Sequence, residues 1–171
     1  MANIIGTELA DMPKLKFIGK KYLDEDRNEY GTYGHRWGEW FKNGWFNLLC
    51  GNGGIEGVSD SYIGLERCNN GTFEYYIGIF MAASDPVPEG FISEDIPAGK
   101  VFMCHIKGRE DTGEIYGEAM TRRCFAMMEA AGYKPRSDGW QFEGYGCPSF
   151  TEPDEKGRVI LDYGIYAADE D

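Results

Sequence analysis

A seven-residue segment, Glu74 to Phe80 (EYYIGIF), has a counterpart late in the chain, Leu161 to Tyr166 (LDYGIY), and this likeness constrains the fold most. Superposing Gly78 on Gly164 sets Ile79 on Ile165 and Phe80 on Tyr166. Each copy closes a series that reads strand, helix, strand, strand. The expected fold class is therefore α+β: two pseudo-twofold-related strand-helix-strand-strand repeats forming a bent antiparallel sheet with a central ligand cleft. At 171 residues the chain fits a single domain. Repeat one is expected over about 14–83 and repeat two over about 90–168.

The individual elements follow from periodicity. Residues 1–12 read as a lead-in, and Lys14 to Leu23 as a strand. Trp37, Trp40, Phe41, Gly44, Trp45 and Leu48 fall on one helical face, predicting a helix from about Tyr33 to Cys50. The glycine-rich run from Gly51 to Gly57 ends it; the run follows a helix and lacks the spacing of a nucleotide loop. Ser61 to Cys68 and Thr72 to Met81 are strand-like runs joined through Asn69-Asn70-Gly71, a hairpin signal because Asn-Gly accepts positive φ. In the second run Glu74, Tyr76, Gly78 and Phe80 share one face and Phe73, Tyr75, Ile77, Ile79 and Met81 the other. Pro86 and Pro88 break the chain. Phe91 to Ile106 is extended, with a bend at Pro97-Ala98-Gly99. Asp111 and Glu114 offer a capping box for a second helix running to Ala131, with Gly132 to stop it. Gly139 to Gly146 and Arg158 to Ala167 form the last strand pair.

Composition narrows the function. Net charge is −12, from 29 acidic and 17 basic residues, which repels a phosphate backbone, so no nucleic acid is expected to bind this chain alone. The same field favours organic cations. The aromatic share of 15% exceeds what a core of this size needs, so some rings should line a cavity. Five cysteines, odd in number and without C-x-x-C spacing, point to free thiols in a reducing compartment. The N-terminus lacks the pattern of a signal peptide, and no run approaches the ~18 apolar residues of a membrane span, so the cytoplasm is the expected location. His35 and His105 lie far apart with no carboxylate at ligand spacing, so neither a metal nor a cofactor is expected. No Gly-x-Ser-x-Gly is present, and a catalytic triad is not expected.

Four segments together resemble the GyrI-like small-molecule-binding domain, the effector-binding domain of multidrug-sensing transcription regulators. They are Tyr62 to Leu65, Phe73 to Ile79, Gly90-Phe91 with Ile96 to Phe102, and Phe142-Glu143-x-Tyr145. The resemblance runs from about Leu15 to Ala167. It implies two strand-helix-strand-strand units around an aromatic-lined cleft, with the glutamate of the Phe-Glu-x-Tyr strand facing the pocket. Only about a dozen residues precede the first expected strand, so the resemblance implies a stand-alone member without the regulators' DNA-binding region. Two departures from the family pattern are Gly164, where a proline is frequent, and Gly144 between the glutamate and the tyrosine.

Glu143 is the leading site candidate. In a strand Glu143 and Tyr145 point to one side. A carboxylate against apolar surroundings needs a cation or a hydrogen bond; lacking both, its pKa rises and it suits proton transfer. Tyr76 and Tyr163 from the strands, Trp37, Trp40 and Phe41 from the first helix, and Phe102 and Trp140 near the matched segments are the candidate rings. The leading expectation is a binding protein for a small amphipathic, cationic or planar aromatic molecule. Two alternatives stay open. One is a hydrolase of strained cyclopropane-containing electrophiles, with Glu143 as general acid/base and Tyr145 assisting. The other is a gyrase-inhibitor-like factor with a protein partner.

Overall fold

A computed structural model describes residues 1–169. The chain forms two compact units, named here by their place in the sequence: a middle unit, Lys14–Pro97, and a terminal unit made of Met1–Pro13 and the chain from Ala98 onward. The described residues hold eight strands and three α-helices, and neighbouring strands within each unit pair antiparallel, in keeping with an α+β fold.

In the middle unit the order of elements is β2 (Leu15–Tyr22), α1 (Gly34–Lys42), α2 (Trp45–Cys50), β3 (Tyr62–Asn69), β4 (Thr72–Ala82) and β5 (Ile92–Ile96). β4 lies between β3 and β2, and β5 adds to the free side of β2. The hairpin turns at Asn70 and Gly71, with φ of 51° and 80°, as the Asn-Gly pair predicts. Ile18, Ile77, Ile79 and Met81 pack beneath Trp40, Phe46 and Leu49 of the two helices.

The terminal unit repeats the scheme with β6 (Gly99–Arg109), α3 (Glu118–Ala130), β7 (Gln141–Tyr145) and β8 (Arg158–Tyr166), and β1 (Asn3–Met12) adds to β6. Phe102, Cys104, Ile106, Leu161, Tyr163 and Ile165 pack beneath Met120, Cys124 and Met128 of α3. The duplication holds at the level of register: Gly78 lies opposite Ile63 and Gly19, and Gly164 lies opposite Phe142 and Met103.

Three expectations are corrected. The lead-in is a strand: a bulge between Ile4 and Gly6 shifts its phase, so Ile4 and Leu9 reach one core from positions that strict alternation would separate. The single first helix is two, because Gly44 takes φ 66° and restarts the helical phase. Phe46 and Leu49 therefore point inward, while Phe41 and Leu48 are 57% and 50% exposed. The expected capping box does not open α3, which begins only at Glu118. Glu114 instead accepts the Arg109 amide at 2.8 Å and faces the N-terminal ammonium at 3.3 Å, and Asp111 holds the Arg109 guanidinium. Gly132, at φ 89°, follows the helix end as expected.

Candidate functional site

β7 is short, and its alternation is decisive. Phe142 and Gly144 are buried on one side, and Gln141, Glu143 and Tyr145 are half-buried on the other. Glu143 lies opposite Tyr163, which lies opposite Cys104; Gln141 likewise leads through Ile165 to Phe102. Tyr163, Cys104, Ile165 and Phe102 all belong to the core beneath α3, so Glu143 stands on the helix-covered side of its sheet. Tyr145 packs against the same core and meets Phe150 edge-on at 4.7 Å.

Tyr116, from the connection that precedes α3, completes the group. Its ring packs on that core, and its hydroxyl is hydrogen-bonded with that of Tyr145. Burial, followed by the carboxylates of Glu110 and Glu143, pushes its pKa above the ordinary tyrosine value, against the opposing bond with Tyr145. The phenol therefore keeps its proton at neutral pH. A carboxylate flanked by phenols and aromatic edges offers a cation three things: charge, π faces and hydrogen bonds.

Of the expected residues, Glu143, Tyr145, Tyr163 and Phe102 share this face. Phe102 lies 6.1 Å from the Tyr133 ring. Trp140 is buried and belongs to the opposite alternation phase, with its carbonyl accepting the Tyr166 amide at 3.1 Å. The remaining four lie in the middle unit. Trp40 is wholly buried, and its indole N–H donates to the Tyr22 hydroxyl at 3.0 Å. Trp37 donates to the Tyr75 hydroxyl at 3.1 Å, and Phe41 meets Tyr62 edge-on at 5.6 Å. Tyr76 is on the other face of that sheet, turned away from the unit's own helices.

Around Tyr76 the middle unit carries a polar network that the sequence did not announce. The Tyr76 hydroxyl lies 3.1 Å from Glu94 and 3.3 Å from Glu74. Glu74 is 4% exposed, accepts the Arg67 guanidinium at 2.8 Å and pairs with the Lys21 ammonium. Burial pushes its carboxyl up, but the bonds from Lys21 and Arg67 outweigh this and hold it below the usual carboxylate range. The one signal in the sequence was the alternation placing Glu74 and Tyr76 on one face; the Arg67 partner becomes visible only once the hairpin register is fixed. Tyr116 gave no signal, because the capping-box pattern assigned its surroundings to a helix.

His105 meets its carboxylates across the sheet. Its Nδ1 lies 2.6 Å from Asp162 and its Nε2 3.4 Å from Glu8, partners supplied by neighbouring strands and not by sequence spacing. Among the described residues no group of three or more His, Cys, Asp or Glu side chains could hold a metal ion. Among the described residues no helix is long and apolar enough to cross a membrane. Along the flank of α3, Phe125, Tyr133 and Pro135 line an open groove of about 660 Å³ that does not include Glu143.

Comparison with known proteins adds a family and a fold. The family model described as an integron-associated effector binding protein, Cass2, matches residues 9–166. No curated protein matches the sequence. Among solved structures, an integron cassette protein from the mobile metagenome of Vibrio cholerae aligns at 13% identity and TM-score 0.57, over 98% of this chain and 99% of that one. SAV2435, solved bound to tetraphenylphosphonium, aligns at 12% identity and TM-score 0.69, over 96% and 94%. The C-terminal domain of EcmrR aligns at 11% identity and TM-score 0.60, over 96% and 98%.

Proposed function

The chain belongs to the Cass2 family of integron-associated effector-binding proteins, and we propose that it is a receptor for small lipophilic organic cations whose charge is met by Glu143. Membership of an effector-binding family supports a small-molecule ligand. The single observation that carries the cationic reading is the group Glu143, Tyr145, Tyr116 and Tyr163 on the α3 side of the terminal unit's sheet. Its carboxylate is half-buried among rings, where a flat or tetrahedral aromatic cation gains both charge pairing and π contact. The fold is shared with SAV2435, which binds such a cation, tetraphenylphosphonium. A net charge of −12 draws cations toward the protein and opposes any DNA-binding role for this chain alone.

The test is calorimetric titration of tetraphenylphosphonium against wild type and Glu143→Gln. The substitution keeps size and much of the hydrogen bonding but removes the charge. Affinity is expected to fall about tenfold or more, the worth of one desolvated charged contact. Equal affinity in both proteins overturns the role of Glu143. The hydrolase alternative uses the same carboxylate with the Tyr116–Tyr145 pair as proton donor; catalytic consumption of a cyclopropane-containing electrophile by wild type, lost in Glu143→Gln, would favour it over simple binding.

A further inference from the structure

Two adjacent lysines of β2 meet different chemistry. Lys21 lies opposite Tyr76, on the sheet face turned away from the helices, and pairs with Glu74. Lys20 lies opposite Ile77 and alternates with Ile18 and Tyr22, which all belong to the core beneath α1 and α2, so its side chain starts on the helix side. There its ammonium stands 4.4 Å from the centre of the Trp45 ring and 4.8 Å from that of Phe91. It also donates to the Gly90 carbonyl at 2.8 Å. Among the described residues no carboxylate pairs with it, although the chain carries 29 acidic residues.

The rings that receive this ammonium are firmly held. Trp45 and Phe91 stand nearly perpendicular, at 6.4 Å and 86°, and form a corner. Trp40 braces both, edge-on to Trp45 at 5.4 Å and 5.8 Å from Phe91, and is itself wholly buried with its indole N–H bonded to Tyr22. The carbonyl comes from Gly90, at φ 89°, in a turn closed by the Phe91 amide on the Pro88 carbonyl at 3.2 Å. Trp45 and Phe91 are half-buried and Gly90 is exposed, so the corner reaches solvent. Two π faces attract a positive charge, and one carbonyl asks that the charge carry an N–H. A neutral molecule fails the first demand and a quaternary ion the second.

We propose that Trp45, Phe91 and the Gly90 carbonyl form a second cation site, one for the primary ammonium group of a small alkyl amine, and that Lys20 fills it as a tethered competitor. A free amine enters by exchange with the Lys20 ammonium, and no covalent step is involved. A short tether presents its own group at an effective concentration on the order of millimolar or above, so the site opens only to amines that exceed it. The inference goes beyond the Glu143 reading and does not depend on it. This site uses no carboxylate and lies wholly within the middle unit.

The experiment uses n-propylammonium chloride, which restores the carbons and the nitrogen that Lys20→Ala removes. At constant ionic strength it is titrated into wild type, Lys20→Ala and Lys20→Ala/Trp45→Leu, followed by tryptophan fluorescence. Lys20→Ala should saturate at a concentration about tenfold or more below wild type, because the tethered competitor is gone. The double variant should lose that gain, and n-propanol should not reproduce it. A cation held at Glu143 would appear equally in wild type and Lys20→Ala, so it cannot produce the difference. Equal midpoints in these two proteins, or a gain that survives Trp45→Leu, overturn the inference and leave the Glu143 reading standing. Tetramethylammonium binding Lys20→Ala as tightly as n-propylammonium overturns the assignment to primary amines. A second measurement needs no variant and decides the matter should Lys20→Ala fail to fold. In the proton NMR spectrum of wild type, the Lys20 ε-methylene signal should be shifted upfield by the two rings and move toward the free-lysine position as n-propylammonium is added. A signal that stays in place up to saturating amine overturns the exchange.

Discussion

Aligned on Gly78 and Gly164, the two units place different chemistry at matching points of the same framework. On the sheet face turned away from each unit's helices, Tyr76 and Lys21 of the middle unit correspond to Asp162 and His105 of the terminal unit. The middle unit buries Glu74 and Tyr76 there, joined to Arg67 at 18% exposure and to Lys21 at its 40% exposed edge. The terminal unit leaves its counterpart, His105 between Asp162 and Glu8, partly open to water. On the helix side the contrast reverses. The middle unit has Gly64 beside Ile77 where the terminal unit has Glu143 beside Tyr163. Register is what the repeats hold in common; the charges are particular to each unit. The terminal unit is therefore the one with a carboxylate under a helix, and the middle unit's buried carboxylate is committed to structure.

The comparison breaks first at Glu74. Replacing it with alanine takes the nearer of two carboxylates from the Arg67 guanidinium, which is only 18% exposed and keeps Glu94 at 3.9 Å. Removing one partner of a buried ion pair costs about 3–5 kcal/mol, and chemical denaturation should show a loss of that order. A pH dependence accompanies it. The Glu74 carboxyl is held below its ordinary value of 4.5, so its contribution is complete above about pH 4.5 and is lost as pH falls through the lowered value. Glu74→Gln should remove this part of the acid sensitivity. An acid limb unchanged in Glu74→Gln would show that other carboxylates dominate it.

The matched glycines give the next test. A Cβ on Gly78 would overlap the Ile18 carbonyl and stand 2.8 Å from the Gly19 Cα, so only separation of β2 from β4 could accommodate it. A Cβ on Gly164 would instead strike the Phe142 ring and lie 2.9 Å from Val101 Cγ1, atoms that can shift by rotation. Gly78→Ala should therefore cost about 3 kcal/mol and Gly164→Ala about 1–2 kcal/mol, both measured by thermal unfolding. Equal costs would mean that the repeats are under the same backbone constraint, against the contrast drawn above.

What the sequence revealed follows the same division. Local patterns that a framework imposes were legible: the Asn70-Gly71 turn, the alternation of β4, and the duplicated strand that fixes Gly78 against Gly164. Phase changes were not. One bulged residue hid β1, and one left-handed glycine, Gly44, split a helix whose apolar spacing looked continuous. The capping-box pattern at Asp111 and Glu114 misled because those carboxylates serve the end of β6 and the N-terminus. The site divides likewise. Glu143 and Tyr145 could be placed together from alternation within one strand. Tyr116 could not, because it arrives from a connection whose path depends on Ile115 packing and Glu114 pairing. His105 with Asp162 needed the β6–β8 register, which no spacing along the chain encodes.

The smallest effect is expected at that histidine, and it sharpens the comparison most directly because the position matches Lys21. The side chains of His105, Asp162 and Glu8 are 29%, 33% and 58% exposed, so solvent screens their attraction and each pays little to lose a partner. Half-exposed pairs of this kind contribute about 0–1 kcal/mol. Asp162→Asn should therefore lower stability by less than about 1 kcal/mol, and added salt should shrink even that difference, since the Debye length falls from about 8 Å at physiological ionic strength to about 3 Å at 1 M. The measurement is paired denaturation of wild type and Asp162→Asn at low and high salt, beside Glu74→Gln under the same conditions. The Glu74→Gln difference should persist in salt, because its carboxylate is buried and its partners are close. A salt-insensitive loss of several kcal/mol in Asp162→Asn would show that the terminal unit too depends on a buried polar network, and that the two repeats differ less in their electrostatics than in the residues that supply them.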